Sequence, residues 1–344
     1  MKKVISVISS LILTASVLAG CGASSAPAAT TAPAATAAAP AETQAPAASY
    51  KVAIVQQLSH SSLDEIRVAI AAELQSKADA AGIQLEIEDF NGQNDPTMLG
   101  QIGAQVMADG VDMILPIATL AAQTMVTVAE GTDTPIVFAA CSDPEAAGLT
   151  GLDGVTGTSD ALNTPFILDM MLSADPDVQT VGLLYSNSEI NSAAAIAEAK
   201  SYLDAKGIAY LEKTGNTTDE IVTATSSLVG RVDAVFTPTD NVVMDAEVAV
   251  AEILNEAGIP HYTGADSFVL SGGFATCGVN YTELGTYTAD MAFDILMGGA
   301  VPEFHVMDGG IITVNTDTAA ALDLDYSVFS TLANTVNEVS TATE

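Results

Sequence analysis

Val232-Asp233-Ala234-Val235-Phe236-Thr237-Pro238-Thr239 echoes Val111-Asp112-Met113-Ile114-Leu115-Pro116-Ile117-Ala118-Thr119 earlier in the chain. Each is a short apolar run of strand character, opened by Val-Asp and closed on proline and threonine. Working outward, more pairs appear in the same register. Ala205-Lys206-Gly207-Ile208 matches Ala80-Ala81-Gly82-Ile83, and Ile259-Pro260-His261-Tyr262 matches Thr134-Pro135-Ile136-Val137. Thr217-Thr218-Asp219-Glu220 and Ser62-Leu63-Asp64-Glu65 both read as capping boxes. Apart from the capping boxes, the offset stays at roughly 120–130 residues, so the body is written twice. Within each copy, strand-type runs (51–55, 83–90, 111–115 and 135–140 in the first) alternate with helical spacing. That alternation predicts right-handed crossovers and a parallel, twisted sheet.

The fold class is therefore α/β, with two similar parallel-sheet lobes. After the second copy come a strand at 273–279, a helix at 281–297, a strand at 310–314 and a helical tail. These are too little for a third domain. Lobe one is expected to hold 49–160 and 273–306, and lobe two 161–272 and 307–335. Three hinge crossings, near 158–162, 270–276 and 306–311, would make the body a clamshell.

The chain has 344 residues and a formal net charge of −34. Nucleic-acid binding needs a basic surface to displace counterions, and this chain has none. Only 15% of residues are charged and 49% are hydrophobic, which excludes a disordered acidic tail. Lys2 and Lys3 precede an apolar stretch from Val4 to Val17, too short to span a bilayer, so residues 1–20 read as a secretory signal peptide. Leu18-Ala19-Gly20-Cys21 resembles the lipobox of bacterial lipoproteins, which implies a lipid on Cys21 and an extracytoplasmic location on the cell membrane. Residues 22–48 hold 14 Ala, 4 Pro and 4 Thr, a composition that cannot bury a core. With Cys21 they form a tether (21–48) reaching up to ~80 Å. Cys141 and Cys277 are either two buried thiols or one bridge. His60, His261 and His305 lack ligand spacing, so no metal or cofactor is expected.

Ligands of open parallel sheets meet the carboxyl ends of strands, where helix N-termini present free N–H groups. Lobe one offers Ser59, His60, Ser61 and Ser62 there, then Thr119, then Ser142 and Asp143. Lobe two offers Asn187, Ser188, Glu189, Asn191 and Ser192, then Thr239, Asp240 and Asn241, then Asp266 and Ser267. From these the expected ligand-binding set is Ser59, Thr119, Ser142, Asp143, Asn187, Glu189, Asn191, Ser192, Thr239, Asp240, Asn241, Asp266 and Ser267. No Lys or Arg stands in any of these turns. A carboxylate must then be met by neutral donors and an ammonium by an acid, which a small zwitterion satisfies. Asp266 and Asp240 are the expected ammonium partners. Thr119, Ser142 and the Asn187–Ser192 turn would meet the carboxylate. Several of these residues are equally good helix caps. Phe138, Phe166, Tyr185, Tyr262 and Phe268 can stack on a ring, although core packing is their commoner fate. Gly148, Gly151, Gly154 and Gly157 read as a flexible loop. No G-x-S-x-G, G-x-x-x-x-G-K-[ST] or H-E-x-x-H motif is present, so no enzyme is expected.

The stretches Pro116–Gln123, Pro135–Pro144, Leu184–Ser192, Thr237–Asn241, Gly264–Ser267 and Val279–Gly285 resemble, in order, the ABC transporter substrate-binding proteins of the tryptophan/tyrosine type. The resemblance covers residues 50–325. It implies a type I periplasmic-binding fold, an amino-acid ligand, aromatic in known relatives, a monomer, and delivery to a permease with its ATPase. Thr119-Leu120 departs from the family's usual Thr-Pro, and Cys141 and Cys277 stand where small residues are expected. The alternatives are a sensory lipoprotein presenting its ligand to a membrane kinase, or a clamshell for a nucleoside or sugar. A regulatory effector domain is disfavoured by the signal peptide, and a hydrolase by the missing nucleophile–base pair.

Overall fold

The computed structural model describes residues 48–342. The signal peptide, Cys21 and all but the last residue of the tether lie outside the described residues. The first lobe begins β1 (Ser49–Gln56), α1 (Ser61–Ala81), β2 (Gln84–Asn91), α2 (Pro96–Asp109), β3 (Met113–Ile117), α3 (Thr119–Val128), β4 (Ile136–Phe138) and β5 (Val155–Ser159). The chain then builds α4 (Thr164–Ala174), β6 (Thr180–Tyr185), α5 (Ile190–Lys206), β7 (Ala209–Thr214), α6 (Thr218–Ser226), β8 (Ala234–Thr237), α7 (Asn241–Glu256), β9 (His261–Thr263), α8 (Asp266–Leu270) and β10 (Ala275–Gly278). It closes with α9 (Tyr281–Leu296), β11 (His305–Val306), β12 (Ile311–Asn315), α10 (Thr316–Ala321) and β13 (Thr335–Val339).

The two sheets run β11-β5-β4-β3-β1-β2 and β13-β12-β10-β9-β8-β6-β7. Their cores share one order: β2-β1-β3-β4-β5 in the first is β7-β6-β8-β9-β10 in the second. The repeated sequence motifs do the same work in both. The Asp112 carboxylate accepts from Lys51 N at 2.8 Å, and Asp233 accepts from Thr180 N at 2.8 Å, each tying down the start of the adjacent strand. Gly82 (φ 68°) and Gly207 (φ 72°) take the left-handed conformation that ends α1 and α5. Ile83 N and Ile208 N then return to the carbonyls of Ala78 and Leu203. Val52, Ala53, Ile54 and Val55 are fully buried, as a strand covered by helices on both faces requires.

The chain passes between lobes three times: at 160–163 between β5 and α4, at 279–280 between β10 and α9, and at 307–310 between β11 and β12. The first and last fall within a residue or two of the expected places. The middle one does not. The strand expected in lobe one at 273–279 is β10, which pairs with β9 and β12 of the second sheet. Only the helix α9 crosses back, to pack along α1. Helix α9 is amphipathic and finds an apolar partner on α1. The strand instead completes a ladder that its neighbour β9 leaves open. The β10–β12 pair is antiparallel, so the second sheet is not wholly parallel.

Two further corrections bear on the site. The Gly148–Gly157 stretch is not all loop, because β5 occupies its end. A Cβ on Gly157 would lie 2.0 Å from the Phe138 carbonyl oxygen, so this glycine permits close strand approach rather than flexibility. The tail after β12 is not simply helical, since β13 adds a strand parallel to β12. Cys141 and Cys277 are both free and buried, and burial raises both thiols.

Candidate ligand-binding site

The carboxyl ends of β1, β3, β4 and β5 face those of β6, β8 and β9 across a narrow cavity. Seven of the thirteen expected residues line it: Thr119, Ser142, Asn191, Thr239, Asp240, Asn241 and Ser267. Asp266 stands one residue behind the lining, where its Oδ1 accepts from Ser62 Oγ at 2.7 Å. Glu189 is buried at the start of α5, accepting from Gln57 Nε2 and Asn241 Nδ2, both at 2.9 Å. Ser192 donates to Asp240 at 2.7 Å and is a support residue. The remaining three expected residues neither line the cavity nor support its lining. Ser59 accepts from Asn91 Nδ2, Asn187 is exposed, and Asp143 accepts from Ala146 N in its own turn.

Asp240 is spoken for by the fold. It caps α7, with Oδ1 accepting from Val242 N at 3.1 Å and Val243 N at 3.0 Å. Its Oδ2 accepts from Ser186 N and Ser192 Oγ, both at 2.7 Å. A carboxylate with four donors has little left for an ammonium.

Asp160 lines the cavity and was not in the expected set. It is 5% exposed, with Oδ1 accepting from Ser142 Oγ at 2.8 Å and Oδ2 from Tyr281 Oη at 3.4 Å. It follows β5, the strand hidden in the glycine-rich stretch, so the rule that found the other residues passed over it. Tyr281 and Met244 line the cavity too, from helices whose facing side chains are settled only by lobe closure. Of the five aromatic candidates, only Phe268 lines it. Phe138, Tyr262 and Phe268 are fully or nearly fully buried; Tyr185 and Phe166 pack on the lobe-two core.

Helix N-termini distinguish this place. Helices α2, α4, α6, α7, α9 and α10 each have a side-chain cap. The N-cap residues of α1, α3, α5 and α8 provide none, although Gln57 Oε1 accepts from Leu120 N at 3.1 Å in the first turn of α3. All four of these ends put residues into the cavity lining: His60, Thr119, Asn191 and Ser267. The expected capping box at Ser62 is therefore absent, and the Ser62 hydroxyl reaches the other lobe instead. His60 Nδ1 and Ser267 Oγ are buried there without a hydrogen-bond partner. Buried polar atoms normally have one.

The electrostatics are one-sided. Asp160 and Asp240 line the cavity, Glu189 and Asp266 adjoin it, and no Lys or Arg does. Burial raises all four carboxyls above their ordinary range, and pushes Glu189 to about 7 with help from the Asp240 charge. Burial lowers His60 to about 4, leaving it neutral at pH 7. The lobes meet directly through Ser62–Asp266, Gln57–Glu189 and a 2.9 Å contact between Ser142 Oγ and Thr239 Oγ1.

A pH effect on closure follows. Glu189 faces Gln57 of lobe one and Asn241, Asn191 and Asp240 of lobe two. Opening returns it to solvent and to its ordinary value near 4.5. Between that value and about 7, the closed form holds a proton that the open form lacks. Closure of the unliganded protein should therefore strengthen as pH falls from about 7 toward 4.5, and level off at its weakest above 7. Small-angle scattering across this range should show the radius of gyration falling with pH, and the E189Q variant should give a shallower profile.

Two lobes that close strand ends and bare helix N-termini over a charged cavity define a small-molecule receptor of the clamshell class. The comparisons agree. Residues 51–336 match the family model described as ABC transporter substrate binding protein, and the chain belongs to that family. A tyrosine-binding protein of Clostridioides difficile (strain R20291) is 30% identical over 330 residues, 94% of this chain and 93% of the relative. The solved ABC domain in complex with L-Trp from Streptococcus pneumonia is 28% identical. It covers 84% of this chain and 100% of its own, with a TM-score of 0.78. A ligand-free, open substrate-binding protein with adhesive properties from Clostridium difficile is 31% identical. It covers 85% of this chain and 100% of its own, with a TM-score of 0.65. The open structure is closer in sequence and farther in shape, as expected for a comparison with lobes that touch. Members of the family are extracytoplasmic, bind small ligands, and work with a permease and its ATPase. Among the described residues, no helix is long and apolar enough to cross a membrane.

Proposed function

We propose that the protein is the receptor of an amino-acid importer, capturing a zwitterion with an aromatic side chain. One observation carries this reading: buried carboxylates and bare helix N-termini share a cavity that has no basic side chain. Asp160 receives the ammonium. The uncapped end of α1, with His60 Nδ1 and Ser267 Oγ, receives the carboxylate. Leu63, Met244 and Phe268 supply the apolar wall. The tyrosine-binding relative and the L-Trp complex support an aromatic side chain. A sugar or nucleoside leaves the carboxylates without a counter-charge. Closure over the ligand excludes water and presents the closed form to the permease. The lipid on Cys21 holds the receptor at the membrane, and C21A should release it into the soluble fraction.

Thermal unfolding of residues 48–342 tests the ligand. At a hundredfold excess over Kd a ligand adds about 2.7 kcal/mol, or a midpoint shift of roughly 5 °C or more. L-Tyr, L-Trp or L-Phe should give it, and their decarboxylated and deaminated analogues should not. Stabilisation by a sugar or nucleoside, with no response to any amino acid, would refute the reading.

A further inference from the structure

A second chamber adjoins the first. It is the roomier of the two, opens to solvent, and shares Ser142, Asn191 and Thr239 with the ligand cavity. Ser142 and Thr239 come from opposite lobes, and their hydroxyls meet at 2.9 Å between the two spaces. The partition on that side therefore includes a single hydroxyl pair, which a ligand atom with hydrogen-bonding capacity can replace. Phe304 and Val306 of lobe one and Leu162 of lobe two give the outer chamber apolar surface. Asp143, Glu145 and Glu198 also line it, with no Lys or Arg. Val306 is 48% exposed, so apolar surface lies open to solvent here.

The geometry points to an outer subsite for the first residue of a dipeptide whose second, aromatic residue fills the inner cavity. This inference rests on the amino-acid reading above and extends it to ligands lengthened at the amino end. The direction of the extension comes from Asp160. Its hydrogen-bond partner Ser142 is itself part of the partition, so the nitrogen that Asp160 holds sits next to the outer chamber. In a dipeptide that nitrogen becomes the amide N–H, which donates to Asp160. The displaced ammonium moves outward to Asp143 and Glu198, and the first side chain lies on Phe304 and Leu162. Opposite charges at such half-open positions contribute modestly, while the apolar contact gains with the area covered.

Calorimetric titration of the wild-type body with L-Phe, Ala-Phe and N-acetyl-Phe tests it. Ala-Phe is expected within about tenfold of L-Phe. N-acetyl-Phe, which lacks the outer ammonium, is expected several-fold weaker than Ala-Phe. Ala194 is exposed on α5 and lines the outer chamber only. A194W should fill that space, weakening Ala-Phe at least tenfold while L-Phe binds as before. Binding of L-Phe without Ala-Phe overturns the inference and leaves the amino-acid reading standing. Equal loss of both ligands in A194W also overturns it, and if neither binds the wild type, both readings fall together.

Discussion

D160N should abolish binding of an amino-acid ligand and, in the same protein, raise the melting temperature of the unliganded form. The two effects have one cause. Asp160 is 5% exposed, and its only side-chain donors are Ser142 Oγ and a long contact from Tyr281. Its charge is under-compensated until an ammonium arrives. Removing one partner of a buried charge pair costs about 2–5 kcal/mol, or roughly 30- to several-thousand-fold in affinity. Asparagine keeps an acceptor for Ser142 but has no charge to bury, so the unliganded fold gains. The sign with pH follows from the raised carboxyl. The gain is full above the raised value, where aspartate is ionised, and fades as pH falls through it, where both side chains are neutral. Calorimetric titration and a thermal scan at several pH values check both halves. A variant that keeps normal affinity would remove Asp160 from the site.

D240A should do the reverse: a large loss of stability, with any loss of binding following from disorder in lobe two. Asp240 is 0% exposed and accepts from Ser186 N, Ser192 Oγ, Val242 N and Val243 N. It thereby joins the end of β6, the first turn of α5 and the start of α7. Truncation strips an N-cap and leaves several buried donors unpaired, each costing about 1–3 kcal/mol before relaxation. An overall cost of about 3–5 kcal/mol is expected from urea unfolding. The contrast with D160N separates two acids that occupy similar places after apolar strands.

Those two residues also mark how far the sequence could be read. Asp240 and Asp266 were legible as cleft acids because each follows a strand that ends in a clear turn. Asp160 follows Val155-Thr156-Gly157-Thr158-Ser159, whose glycine and hydroxyls lack a strand's apolar signature. Its strand character comes from pairing with β4, where Gly157 lets Phe138 approach. Likewise Ser62 read as a local cap, yet its hydroxyl bonds to Asp266 in the other lobe. Local patterns offered a cap, and tertiary proximity offered a better acceptor. The strand at 273–279 is legible in the sequence, but its place in the second sheet is not. Sheet membership depends on which ladder has a free edge, a property of distant chain.

What the sequence determined by itself was the doubled α/β architecture, the clamshell, the acidic cleft and seven of its lining residues. These depend on local periodicity, strand-end position and residue type, all of which are written in order along the chain. The tertiary structure decided which acids are free for a ligand and which are consumed by the fold. It also decided which helix ends stay bare and where the lobes touch. Each of those depends on hydrogen-bond partners brought from far away in sequence, such as Gln57 to Glu189 or Ser142 to Thr239. A buried carboxylate with four donors and one with two look the same until the chain has folded around them.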